Sequence, residues 1–136
     1  MFLDSSAIVA ILAREIEGAA LTTRLEHAGQ LYTSPIAIYE AVSGLVRAGD
    51  IAPADAEILI EQFLAEVGVE IVPITAQIAH GALQAFDRYG KGRHPAGLNM
   101  GDCFAYACAQ NLRAPLLFKG EDFPLTDIAA VLDSES

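Results

Sequence analysis

Short runs of consecutive apolar residues alternate along this chain with stretches where apolar residues recur every three or four positions, which predicts strands and helices in turn. Met1-Phe2-Leu3 reads as a short buried strand ending at Asp4, and Ser5 to Ala13 as a helix. Leu31-Tyr32-Thr33 is a second strand; Ser34 then offers an N-cap and Pro35 suits a first helical turn, with the helix running to about Ala48. Pro53 opens another helix, where Ala56, Ile60, Phe63 and Val67 mark a buried stripe and Gly68 stops it. Glu70-Ile71-Val72-Pro73-Ile74 reads as the next strand, and Thr75 caps a helix with Ile78, Ala82, Ala85, Phe86 and Tyr89 on one face. Residues 91–97, Lys-Gly-Arg-His-Pro-Ala-Gly, are too rich in Gly and Pro for regular structure and predict a loop. Ala105, Cys108, Ala109 and Leu112 restore helical spacing, and Pro115-Leu116-Leu117-Phe118 is a last strand. The alternation predicts an α/β fold, a central and mostly parallel sheet flanked by helices.

A length of 136 residues fits one domain, 1–136. With 53% hydrophobic residues it can bury a sizeable core and is not a disordered chain. Cys103 and Cys108 lie five apart in a predicted helix, where their side chains diverge, so a mutual disulfide is not expected. No signal segment is visible, no apolar run approaches the roughly 18 to 20 residues of a membrane span, and a cytoplasmic setting is expected.

Charge alters this picture. Eight Lys and Arg against 18 Asp and Glu give a net charge of −10, which excludes a bulk electrostatic grip on nucleic acid. A polyanion would need a local basic loop, or a divalent cation held by clustered carboxylates. The acids fall where the second option requires them. Asp4 lies where a strand gives way to a helix, at the sheet edge where open α/β folds bind ligands; it is also a plausible helix cap. Glu40 interrupts an apolar helix face, and its stripe continues through Ser43, Gly44 and Arg47, leaving a shallow polar groove. Asp102 is the third helical residue after Asn99, a capping-box arrangement, yet it precedes Ala105 and Ala109 along the buried stripe. Asp122 follows the last strand. Four acids mapped to one sheet edge repel one another, and a hard cation such as Mg²⁺ or Mn²⁺ neutralises such a cluster. The histidines and cysteines show no zinc-ligand spacing, and no Gly-rich phosphate loop follows the first strand.

These residues resemble a family, the PIN-domain ribonucleases, and within it the VapC-type toxins of bacterial toxin–antitoxin pairs. The resemblance rests on Phe2-Leu3-Asp4-Ser5-Ser6-Ala7, on Glu40, on the run from Gly90 to Cys103, and on Leu116 to Phe123 with Thr126-Asp127. It implies that Asp4, Glu40 and Asp102 form an acidic triad that binds Mg²⁺, with Asp122 or Asp127 as fourth acid where relatives carry Asp or Asn at the position of Gly120. It further implies hydrolysis of RNA, a cognate antitoxin and a homodimer, with Lys91, Arg93, Arg47 and Lys119 supplying local positive charge. Two alternatives are a PIN fold kept only as a binding module, which the intact acids oppose, and a receiver-like Mg²⁺-binding signalling domain. The latter would place paired acids after the first strand and an Asp at the end of the third; Asp4 is followed by Ser5, and Ile71 to Thr75 contains no Asp.

Overall fold

The computed structural model describes residues 1–128; the expected domain span of 1–136 extends into residues 129–136, outside the described residues. The chain runs β1 (Phe2–Leu3), α1 (Ser5–Leu12), α2 (Gly18–His27), β2 (Leu31–Thr33), α3 (Pro35–Gly49), α4 (Pro53–Val67), β3 (Val69–Ile71), α5 (Ala76–Tyr89), α6 (Met100–Leu112) and β4 (Leu116–Leu117), followed by a short 3₁₀ turn at Phe123–Leu125. The strands form one four-stranded sheet in the order β3-β2-β1-β4. Every pairing is parallel, with Phe2 opposite both Tyr32 and Leu116, Leu3 opposite Leu117, and Leu31 opposite Val69. The predicted α/β class is the observed one.

Alternation along β1 and its edge-strand neighbour β4 divides the core between the faces of the sheet. Phe2 and Leu116 pack with Tyr89, Tyr106, Cys108 and Leu98 on the α5 and α6 side. Leu3 and Leu117 pack with Ile8, Ala41, Leu45 and Ile60 on the side of α1, α3 and α4. All four strand residues are fully buried, each such side chain contributing about 1.5–3 kcal/mol. Ser34 caps α3 by accepting from the Ala37 amide, with Pro35 in its first turn, and Thr75 caps α5 by accepting from the Ile78 amide.

Three details depart from the pattern-based reading. The apolar pattern does not predict α2: Leu21 and Leu25 are its only large buried residues, and Glu17 at its N-cap makes no side-chain cap bond. β3 begins at Val69, paired with Leu31, and ends earlier than Ile74 because Pro73 cannot donate to the ladder; the Val72 amide makes the last bond, to the Thr33 carbonyl at 2.8 Å. In α4 the buried series runs Ala56, Ile60, Leu64, while Val67 is 37% exposed, and in α5 Phe86 is 46% exposed at the rim of a groove.

The 91–97 segment is a loop, but a tied one. Lys91 donates its amide to the Leu98 carbonyl, and the Arg93 and His94 amides both reach the Gly90 carbonyl. Gly92 and Gly97 adopt φ of 85° and 61°. Gly90 has an ordinary φ and is needed for space instead, since a Cβ there would stand 2.3 Å from the Phe86 carbonyl oxygen.

Candidate active site

The carboxyl ends of β1 and β4 are stitched together, and this join positions the first acid. The Asp4 amide donates to the Leu117 carbonyl at 3.0 Å, extending the β1–β4 pairing by one residue. Asp4 then caps α1: its Oδ2 accepts from the Ser6 amide at 3.1 Å and from the Ser6 hydroxyl at 2.6 Å. The Ser6 Oγ in turn accepts from the Lys119 amide at 3.0 Å, so one hydroxyl links the acid on α1 to the segment leaving β4. Asp102 enters from α6 in a reciprocal capping box, its Oδ2 accepting from the Asn99 amide at 3.1 Å while its own amide donates to Asn99 Oδ1 at 2.9 Å. Cap and site residue are thus one side chain at both Asp4 and Asp102. Glu40 projects from α3, with Ser5 Oγ 3.4 Å from its Oε1.

These side chains line a single open cavity of about 470 Å³, together with Ser5, Ser6, Gly44, Arg47, Asn99 and Lys119. Its electrostatics favour neutralisation. Burial pushes the Asp4 carboxyl up against the opposing pull of its bonds to Ser6 and Ser5. Burial, then the charge on Asp4, raises Glu40, offset in part by Ser5 and Arg47. Asp102 is pushed up to about 6 by burial and by the charges of Asp4, Glu40 and Asp122, against the Asn99 amide. All-oxygen donors that resist being anionic together suit a hard divalent cation, so the chemistry of the set fits Mg²⁺ or Mn²⁺. Among the described residues no three such side chains stand as a closed metal-ligating set; the acids line the cavity wall.

The basic residues divide. Arg47 and Lys119 line the acidic cavity; Arg47 donates to Ser43 Oγ at 2.8 Å, and Lys119 Nζ pairs with Glu15 at 2.6 Å. Lys91 and Arg93 do not line it. Arg93 is held by Asp87 at 2.7 Å and by the Asp87 carbonyl, and Lys91 borders a separate apolar groove with Leu83, Phe86, Met100 and Phe104.

The fourth acid is also separated. Asp122 is exposed and outside the cavity lining, but its charge acts on Asp102. Asp127 is committed elsewhere: the Tyr106 hydroxyl donates to Oδ1, Arg88 lies 3.4 Å from Oδ2, and the Tyr106 bond holds its carboxyl below the usual range. Sequence reasoning read Asn99 as the helix cap before Asp102, which it is, and assigned no role to the side chains of Ser5, Ser6 or Glu15. Ser6 carried a local signal, a hydroxyl two residues after an Asp that ends a strand; the Glu15–Lys119 pair, 104 residues apart in sequence, carried none.

Comparison with known proteins bears on the family and the fold. A family model described as the PIN domain matches residues 1–129. The chain is 41% identical to a Ribonuclease VapC of Mycolicibacterium smegmatis, covering 96% of this chain and 99% of that one. It is 40% identical to a VapC ribonuclease of Rhizobium meliloti, over 93% and 98% of the two chains. In fold it is similar to the crystal structure of Mycobacterium tuberculosis VapC20, a sarcin–ricin loop cleaving toxin, with a TM-score of 0.76 at 16% identity over 96% and 97% of the chains. A toxin–antitoxin complex from Klebsiella pneumoniae gives 0.70 at 19% identity over 96% and 95%. From a parallel sheet whose carboxyl edge gathers Asp4, Glu40 and Asp102, and from relatives that align nearly end to end, the chain belongs to the PIN-domain family, among its VapC ribonucleases.

Proposed function

We propose that this protein is a Mg²⁺-dependent endoribonuclease, the toxin of a toxin–antitoxin pair. The observation that carries the proposal is the convergence of Asp4, Glu40 and Asp102, from three separate elements, on one cavity that also presents Arg47 and Lys119. Asp4 and Asp102 would hold Mg²⁺, with Mn²⁺ an alternative, and Glu40 would orient water or hold a second ion. Bound there, the metal would supply Lewis-acid chemistry at the scissile phosphate and favour ionisation of the attacking water. The protein's own groups do the rest. Ser6 fixes Asp4 Oδ2 through two hydrogen bonds. Glu40, its carboxyl raised by burial, is suited to take a proton on a carboxylate oxygen as water attacks phosphorus. Asp122 adds negative potential from outside the cavity. Arg47 and Lys119 meet the RNA backbone, Lys119 exchanging its bond to Glu15 for one to phosphate. A cognate antitoxin and a homodimer complete the proposal, in the cytoplasm; among the described residues no helix is long and apolar enough to cross a membrane.

The test is incubation of purified, antitoxin-free protein with total RNA with and without Mg²⁺. Discrete fragments that require the ion are expected; cleavage unaffected by chelation, or none, would overturn the proposal.

A second prediction separates the basic residues. In an Asp102→Asn background that prevents cleavage, Arg47→Ala with Lys119→Ala is expected to lower the logarithmic salt slope of single-stranded RNA binding by about 0.7 per lost contact. Lys91→Ala with Arg93→Ala should lower it less, because neither residue lines the acidic cavity. Anisotropy titrations across a salt series read both, and the reverse order would move the RNA path to the 91–97 loop.

A further inference from the structure

Gly101 sits in the first turn of α6, beside Asp102, and is buried. A glycine there is a poor choice for the helix, since it weakens the turn that carries a site acid. The reason lies across the cavity. An ideal Cβ on Gly101 would stand 2.0 Å from both carboxylate oxygens of Glu40 and 2.1 Å from its Cδ. The Glu40 carboxylate therefore occupies the volume that any side chain at position 101 would fill. On its other side the same carboxylate meets the Ser5 hydroxyl at the start of α1. Glu40 is thus held between two helix starts, with Arg47 two turns further along its own helix lining the same cavity.

We propose that Gly101 is a positioning residue of the site: the absent side chain lets the Glu40 carboxylate lie against the first turn of α6, next to Asp102. The inference rests on the reading of this cavity as a divalent-cation and RNA site, and it assigns a specific cause to the third acid's placement. Residue 101 acts only through Glu40, in that acid's ion-holding role. Its replacement should therefore behave like the loss of a supporting contact, weakening metal binding and turnover without blocking RNA from the cavity.

The test compares wild type with Gly101→Ala, Glu40→Asp and the combination of the two, using Mn²⁺ as probe in calorimetric titrations of the antitoxin-free protein. Gly101→Ala is expected to bind Mn²⁺ about 10- to 100-fold more weakly and to lose kcat to a similar degree, with KM for RNA nearly unchanged. Glu40→Asp draws the carboxylate back by one methylene and should be impaired alone, but it vacates the space that a methyl group at position 101 needs. The combined variant is accordingly expected to bind Mn²⁺ no more weakly than Gly101→Ala. Gly81→Ala on α5, whose Cβ would make an ordinary 3.4 Å contact with the Ala107 Cβ, controls for helix stiffening and should leave Mn²⁺ binding unchanged.

Wild-type Mn²⁺ binding by Gly101→Ala, or losses that simply multiply in the combined variant, would overturn the positioning role while leaving the functional reading intact. A wild-type protein that neither binds Mn²⁺ nor cuts RNA would overturn both. Thermal melts cover poor folding of Gly101→Ala: the clash requires that Glu40→Asp restore its melting temperature, and no restoration overturns the proposal.

Discussion

Asp4→Asn and Asp102→Asn are each expected to abolish RNA cleavage while raising the melting temperature of the metal-free protein. Both substitutions preserve shape and capping, because an Asn oxygen can still accept from the Ser6 amide at position 4 and from the Asn99 amide at position 102. What is lost is one anionic donor. Removing several kcal/mol of metal-borne stabilisation from the transition state corresponds to about 10³-fold or more in rate. Stability moves the other way, since a carboxyl held above its ordinary value is one the fold would prefer uncharged. For Asp102, raised from 3.8 to about 6, full linkage would give about 3 kcal/mol. Its partial exposure to solvent reduces this to about 1–2 kcal/mol. That is a rise of several degrees for a domain of this size. Cleavage assays and melts in chelator read the two effects, and wild-type cleavage by either variant would exclude the metal-site assignment.

The second large effect is a pH dependence of unusual sign. The metal-free protein should become more stable as pH falls from 7.5 to about 5, whereas acidification usually destabilises by protonating favourably paired carboxylates. Asp102 binds its proton at about 6 in the folded protein and near 3.8 when unfolded. Between those values the native state carries more protons, so the slope of stability against pH is negative. The destabilising contribution is fully present above the folded value and vanishes below the unfolded one. Asp4 and Glu40, both raised chiefly by burial, act in the same direction. Melting curves in chelator should show the rise, Asp102→Asn should flatten it, and saturating Mg²⁺ should remove it by satisfying the carboxylates at neutral pH. A melting temperature that falls steadily from pH 7.5 to 5 would contradict the raised carboxyls.

Much of this site was legible because its key residues announce themselves locally. Leu3-Asp4-Ser5 marks a strand end, Asn99 to Asp102 spells a capping box, and Glu40 with Gly44 and Arg47 forms a polar stripe on an apolar helix; each reading depends on neighbours within seven positions. The elements that were misplaced depend on distant ones. α2 buries only Leu21 and Leu25 as large side chains, too weak a period to register. Arg93 looked available for RNA because nothing in the loop's composition reveals that Asp87 on α5 captures it. Asp127 looked like a site acid until Tyr106 and Arg88 claimed it. Charged side chains are long and choose partners after the backbone has folded, so their pairing is the property least encoded in local spacing.

The position of β4 has a consequence for the order of events during synthesis. Phe2 and Leu3 pair with Leu116 and Leu117, more than a hundred residues later in the sequence. Strands of two residues have little stability apart from their partners. A nascent chain emerges N-terminal end first, so β1 waits with one edge unpaired until more than a hundred further residues have been added. Until then the Ser6 hydroxyl has no Lys119 amide to accept from, and the cavity lacks the wall that Lys119 provides. The acids of α1, α3 and α6 are translated earlier, yet the pocket they share closes only with the last strand. A chain that still lacks residues 116–119 therefore has no complete cavity, and the wall nearest Asp4 is the last part of the site to be built.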